Sequence, residues 1–339
     1  MQKMTRRGAL KITAGFVVAR AAWPALGQST GGMKKRGVEY RKLGRTGLEV
    51  SLLGYGGLRA GTTEPQRLSR LLNTAIDRGL NLIDTAHCYP GSEAGIGAAI
   101  GHRRDDYYIV TKIGHENGEF GGDWTGSRES IFRTLEESCR RMKTDHVDVA
   151  MIHTCPTDWI ARDRMIESLN AARDRGLTRF IGYSGDDNHP KAAMMEHDID
   201  VIEITINPLD QGGIELLSLA QERDIGVLVK RSIANAIWRY EEAPGRLYID
   251  EYWRRMRVMD FPFMKREALQ DEDPDGPAGT MLRFAAGFEG VSSLIVGTKT
   301  PGRWESNLEL LGAGPLDSEV VGQIRARWSK LATDEWVGQ

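Results

Sequence analysis

The chain has 339 residues, 40% of them hydrophobic, and its 45 Lys and Arg against 47 Asp and Glu leave a net charge of −2. Charge so balanced and interspersed argues against a nucleic-acid surface or an anionic-membrane binder and indicates an ordinary soluble globular protein. Three cysteines, Cys88, Cys139 and Cys155, are odd in number and show no metal-ligand spacing, which argues against a disulfide framework, an iron–sulfur centre or a metal site.

At the N-terminus, Thr5-Arg6-Arg7-Gly8-Ala9-Leu10-Lys11 precedes a mildly apolar stretch from Ile12 to Ala22. This has the form of a twin-arginine export signal, with Ala25-Leu26-Gly27 as a small-x-small cleavage site. The stretch is too short for a spanning helix and Arg20 interrupts it, so removal is expected and no stable membrane insertion follows. Residues 1–27 read as signal, 28–37 as linker and 38–335 as one domain. The expected partner is the twin-arginine export machinery and the expected location the periplasm.

Next, residues 39–51 (EYRKLGRTGLEVS) read as a β-hairpin turning at Gly44-Arg45-Thr46-Gly47. Beyond it, three stretches run from a charged helix end into an apolar strand: 74–84, 171–184 and 219–230. In the first two, Gly79 and Gly176 stand where a helix closes in a left-handed cap. Apolar runs place strands at 52–56, 80–84, 107–112, 147–153, 179–183, 201–206, 226–230 and 293–297. Helical periodicity appears at 65–78 and at 128–142, where Ile131, Leu135, Cys139 and Met142 form one stripe. Eight strands alternating with helices predict an α/β fold, a single (β/α)8 TIM barrel. Two long connections, 114–127 after the third strand and 235–277 after the seventh, are of the length that is functional or mobile. Trp124, Trp238, Tyr240, Tyr252 and Trp253 lie on them and read either as pocket walls or as surface packing.

Four titratable residues fall at or just beyond strand ends: Asp84 and Tyr89 in LIDTAHCYPGSE (82–93), Lys112 closing YYIVTK and His153 closing VDVAMIH. A phenol beside an ammonium is moved toward its phenolate form, a carboxylate keeps that ammonium charged, and a neutral imidazole can hydrogen-bond a reacting oxygen. Any one of these residues alone reads more readily as a structural partner; together they are equipment for protonating a carbonyl oxygen. Cys88 and Cys155, beside Tyr89 and His153, read as small buried apolar residues.

The D-T-A-x-x-Y stretch, the strand-terminal T-K and I-H, and a G-T-x-x-P-x-x-x-x-x-N pattern at 297–307 together resemble the aldo-keto reductases, from about Tyr40 to about Leu311. The resemblance implies Tyr89 as general acid, Asp84 and Lys112 as its tuning pair, His153 as the carbonyl-orienting group, and the hairpin across the barrel floor. The chain has no G-x-G-x-x-G opening a βαβ unit, which argues against a two-domain Rossmann dehydrogenase. In the resembled family a nicotinamide cofactor lies over the barrel mouth. Ser184 matches a residue holding its carboxamide, and Gly297, Thr298, Lys299, Arg303 and Asn307 match the segment gripping phosphates and adenine. Arg303 matches the position that contacts the ribose 2′-phosphate, which implies NADPH (NADP+). Three positions depart from the family pattern: Gly185 for asparagine, Glu203 for glutamine and Lys230 for an aromatic ring. Glu203 can still accept from the carboxamide or pair with Lys230. The function expected is NADPH-dependent reduction of an aldehyde or ketone. The alternative is a cofactor-binding module that senses redox state or binds a partner with little turnover.

Overall fold

A computed structural model describes residues 33–35, 37–115, 127–155, 164–186, 188–265, 272–336 and 338. The signal read at 1–27 lies outside them. Met33–Lys35, inside the segment read as linker, forms a strand (β1) antiparallel to Val38–Lys42 (β2), and β2 pairs antiparallel with Glu49–Ser51 (β3). The predicted hairpin is thus the core of a three-stranded sheet.

Eight parallel strands then close on themselves in chain order: Leu53–Gly56 (β4), Leu82–Asp84 (β5), Tyr108–Ile113 (β6), Val147–His153 (β7), Thr178–Ser184 (β8), Val201–Thr205 (β9), Gly226–Lys230 (β10) and Val291–Val296 (β11). Among the described residues the α-helices are Pro65–Arg78 (α1), Ser92–Ile100 (α2), Arg128–Met142 (α3), Met165–Asp174 (α4), His189–Glu196 (α5), Leu217–Glu222 (α6), Leu247–Met259 (α7), Pro277–Ala286 (α8), Arg303–Gly312 (α9) and Ser318–Leu331 (α10). The (β/α)8 barrel expected from the strand–helix alternation is the fold observed.

Local signals explain where the helices stop. The α1 boundaries are the predicted ones; Glu64 caps its start by accepting from the Gln66 and Arg67 amides, and Gly79 ends it at φ 117°. Gly176 also has positive φ, 77°. The third repeat lacks a glycine at this point, and Asp224 takes the left-handed conformation instead, at φ 51°. The stripe predicted on α3 is buried as expected.

Strand alternation sorts side chains into two sets. One parity points outward to the helices, where Ile83, Ile109, Ile152, Ile181, Ile202 and Val229 join the larger core. The other points into the barrel, where Leu82, Val110, Val149, Met151, Val201, Leu228 and Ile295 pack with Leu43, Leu48 and Val50 of the hairpin. The hairpin therefore closes the N-terminal mouth. Its fit is tight at Gly44, whose φ is 48° and where a Cβ would sit 2.2 Å from the Gly226 nitrogen. Only glycine fits there.

The connection after β10, read as a long loop, instead carries the 13-residue helix α7 and two short 3-10 turns among its described residues. Its apolar positions were hidden by interspersed arginines, of which Arg255 is buried and pairs with Asp210 and Glu251. Tyr252 is fully buried and donates to Asp210 at 2.9 Å, and Trp238 is buried, so neither is on the surface. Trp124 and most of the connection after β6 lie outside the described residues.

Candidate active site

The inward parity that fills the barrel with hydrocarbon at its base continues to the strand ends as Asp84, Lys112, His153, Ser184, Glu203 and Lys230. The parallel register sets His153 beside Ser184 and Ser184 beside Glu203. In this fold reactive groups gather at the C-terminal strand ends. Tyr89 lies just beyond β5, on a turn tied down by His87 N to Lys112 O (2.9 Å), Tyr89 N to Ala86 O (3.0 Å) and Ser92 N to Tyr89 O (3.1 Å). Buried Glu93 braces that turn from below, accepting from Thr111 Oγ1 at 2.8 Å and pairing with Arg141 at 3.2 Å.

Lys112 is the centre of the cluster. Its ammonium donates to Asp84 Oδ1 and to the Thr85 carbonyl (3.1 Å), and lies 3.2 Å from Glu203 Oε2 and 5.7 Å from the Tyr89 ring centroid. The Tyr89 ring stands edge-on to His153, centroids 5.7 Å apart. The four residues expected to act together are brought together. Glu203 does not pair with Lys230 as one reading allowed. It pairs with Lys112 and accepts from Ser184 Oγ at 3.2 Å, while Lys230 pairs with Asp186 at 3.0 Å.

Burial opposes the Lys112 ammonium, but the charges of Asp84 and Glu203 outweigh it and hold it protonated. Burial pushes the Asp84 carboxyl well above the usual range and Glu203 adds to this, with Lys112 opposing. For His153, burial and then the Lys112 and His115 charges push the pKa well below the ordinary value, so the ring is neutral. The expectation that Lys112 lowers the Tyr89 pKa is corrected in sign. Lys112 acts in that direction, but desolvation of the buried phenol is larger and the net shift is upward. Tyr89 therefore keeps its proton at neutral pH.

At the mouth, β10 and β11 end side by side. Gly297 follows β11, and a Cβ on it would meet the Gly56 carbonyl at 2.9 Å. Lys299 and Arg303 flank the start of α9, where backbone amides and two cations suit phosphate. Asn307 is buried one turn on, and Thr298 Oγ1 accepts from the Thr300 amide at 3.0 Å.

Other residues in this region were not singled out from sequence. Asp186 holds both Lys230 and Arg231, and burial of its carboxyl is outweighed by those two charges, so its pKa is lowered. The turn after β10 has positive φ at Arg231, Ala234, Asn235 and Ala236. On it, Ser232 Oγ and Asn235 Nδ2 are buried with no protein hydrogen-bond partner among the described residues. Buried polar atoms are normally satisfied, and two orphans on the turn that follows β10 fit a polar ligand there. The only sequence sign was an asparagine, which tolerates positive φ, in this turn. Cys88 Sγ lies 3.3 Å from His153 Nδ1, and the His115 ring is 5.1 Å from the His153 ring. No sequence spacing linked these three.

Residues 52–329 match the aldo/keto reductase family. An uncharacterized oxidoreductase, YqkF of Bacillus subtilis (strain 168), is 27% identical over 299 residues, 84% of this chain and 95% of that protein. Methylglyoxal reductase DkgB of Escherichia coli O157:H7 is 37% identical over 259 residues, 75% of this chain and 85% of that protein. Among solved structures, the holo form of aldo-keto reductase AKR11C1 from Bacillus halodurans superposes with a TM-score of 0.74 at 25% identity, over 88% of this chain and 98% of that one.

Proposed function

The chain belongs to the aldo/keto reductase family and is an oxidoreductase, and on that premise we propose that it reduces an aldehyde or ketone with NADPH, Tyr89 acting as the general acid. The observation that carries the reading is the buried cluster in which a protonated phenol, a neutral imidazole and a doubly paired ammonium converge. A nicotinamide nucleotide, when bound, would supply the hydride. Tyr89 gives its proton to the oxygen that becomes the alcohol. Lys112, held by Asp84 and Glu203, stabilises the phenolate left behind and so offsets the burial that raises the phenol pKa. His153 donates a hydrogen bond to the carbonyl oxygen. The Cys88 thiol, which burial pushes up to about 12, stays protonated; donating from Sγ to Nδ1 assigns the ring proton to Nε2.

Ser184, Gly297, Thr298, Lys299, Arg303 and Asn307 are the residues we assign to the nucleotide, with Ser232 and Asn235 added for their unmet donors. Glu203, tied to Lys112 and Ser184, and Lys230, tied to Asp186, border the nicotinamide position. Arg303 carries the preference for NADPH, because a guanidinium binds a 2′-phosphate through paired, charge-assisted hydrogen bonds whereas NADH offers a hydroxyl. Glu305, on the same helical turn with a buried Oε1 lacking a donor among the described residues, is the residue that favours NADH.

Purified protein assayed against aldehydes and ketones with NADPH and with NADH tests the reading. Turnover with NADPH is expected, with cofactor discrimination of roughly ten- to hundredfold that collapses in Arg303→Ala, as one charge-assisted bond of about 1.5–3 kcal/mol requires. Equal affinity for both nucleotides refutes the Arg303 role. A second reading, a redox-sensing or partner-binding module, draws on Glu203 replacing a neutral amide beside the nicotinamide position. Tight nucleotide binding without turnover on any carbonyl would select it.

We further propose export to the periplasm by the twin-arginine route, on the Arg6-Arg7 motif. Among the described residues no helix is long and apolar enough to cross a membrane. Arg6→Lys with Arg7→Lys should leave the protein in the cytoplasmic fraction; unchanged export would overturn the assignment.

A further inference from the structure

Cys88, His115 and His153 come from three different segments: the β5–α2 turn, the residues after β6, and the end of β7. The barrel brings one ligand-type atom of each within 4.8 Å of the others, and all three residues are buried. Nothing in the proposed reduction uses the thiol as a ligand or needs His115. We infer that these three side chains form a binding site for a zinc-class divalent transition metal, and that metal bound there shuts off carbonyl reduction by taking His153.

The geometry fits one shared ion. Zinc–sulfur and zinc–nitrogen bonds of about 2.3 and 2.0 Å at a tetrahedral angle put the two ligand atoms about 3.5 Å apart, and Cys88 Sγ is 3.3 Å from His153 Nδ1. The His115 ring faces His153 edge-on. One sulfur and two imidazole nitrogens are a borderline-soft set that selects zinc, cobalt or copper over magnesium or calcium. Three protein ligands leave a fourth position for water. On binding, the S–H bond of Cys88 breaks, an S–metal bond forms and the proton leaves to solvent, with no change of oxidation state. The thiolate so formed offsets one of the two positive charges the ion brings. With Nδ1 bonded to the ion, the imidazole is locked in the metal's geometry and can no longer turn its Nε2–H to follow the carbonyl oxygen.

The inhibition rests on the proposed function; the binding does not. The test uses the full chain, stripped with a chelator, and cobalt(II) followed by zinc(II). One cobalt per chain is expected, with a sulfur-to-cobalt charge-transfer band and tetrahedral visible absorption that stoichiometric zinc abolishes. Cys88→Ser should remove the charge-transfer band, and Cys88→Ser and His115→Phe should each weaken zinc binding roughly hundredfold or more, beyond the effect of losing an outer-shell partner. Both variants are checked for native circular dichroism. No cobalt binding, or binding with the same band in Cys88→Ser, overturns the site. Where the chain turns over a carbonyl, one equivalent of zinc should abolish it and chelator restore it; zinc-bound protein that turns over normally overturns the inhibition. A chain that shows the band and reduces nothing would sink the proposed function and leave the metal site standing.

Discussion

The two mouths of the barrel are built by the same strands on the same side-chain parity, and they differ in every physical respect. At the N-terminal mouth, Leu82, Val110, Val149 and Leu228 meet Leu43, Leu48 and Val50 of the hairpin in a closed hydrocarbon plug. Two residues further along, β5, β6 and β10 present Asp84, Lys112 and Lys230, and β9 presents Glu203. Burying those charges is unfavourable unless each is matched. Matching is what is observed: Lys112 between Asp84 and Glu203, Asp186 between Lys230 and Arg231. The floor uses burial to hold the fold, and the rim uses the rigidity so obtained to keep ionisable groups in electrostatic states that water would not allow.

That division can be broken at either end. The largest effect is expected at the rim, from Tyr89→Phe. Removing the proposed proton donor should lower kcat by roughly a hundred- to ten-thousandfold, with nucleotide affinity and melting temperature close to wild type. Steady-state kinetics beside a nucleotide titration check it, and near-normal turnover would end the role of Tyr89 as general acid.

Lys112→Met should damage both the chemistry and the fold. Asp84 and Glu203 are left facing each other without their cation, a loss of about 3–5 kcal/mol in unfolding free energy. Denaturant unfolding at neutral pH measures it; a variant as stable as wild type would mean that the rim charges were not compensating one another.

At the floor, Leu228→Ala should cost about 2–5 kcal/mol of stability through its cavity while the kcat of the folded protein moves by less than about twofold. A large drop in kcat without loss of stability would show that the two ends are not separable.

The smallest effect sharpens the electrostatic side. The folded pKa of His153 is depressed, so between that value and about 6.5 the unfolded chain binds the extra proton, and its contribution to stability is lost as pH falls through this window. Compared with His153→Gln, wild type should lose up to about 1.4 kcal/mol more per pH unit below about 6.5. Parallel unfolding curves at pH 7, 6 and 5 would show that the imidazole is not held neutral.

Much of this was legible in the chain. Strand and helix periods depend on near neighbours, so the eight strands, the α1 and α3 boundaries and the α3 stripe followed from local pattern. Asp84, Lys112 and His153 were readable because they close apolar runs, and Tyr89 because it stands in a short motif with Asp84. Across long separations, partners were not readable. Glu203 pairing with Lys112, Asp186 taking Lys230, and Cys88 meeting His115 and His153 all depend on which strand ends face one another around the mouth when the barrel closes. The helix α7 was missed because its arginines masked its apolar period. Tertiary structure alone decided the sign of the Tyr89 shift, since a charge partner can be guessed from sequence while the depth of burial that opposes it is set by everything packed around the ring.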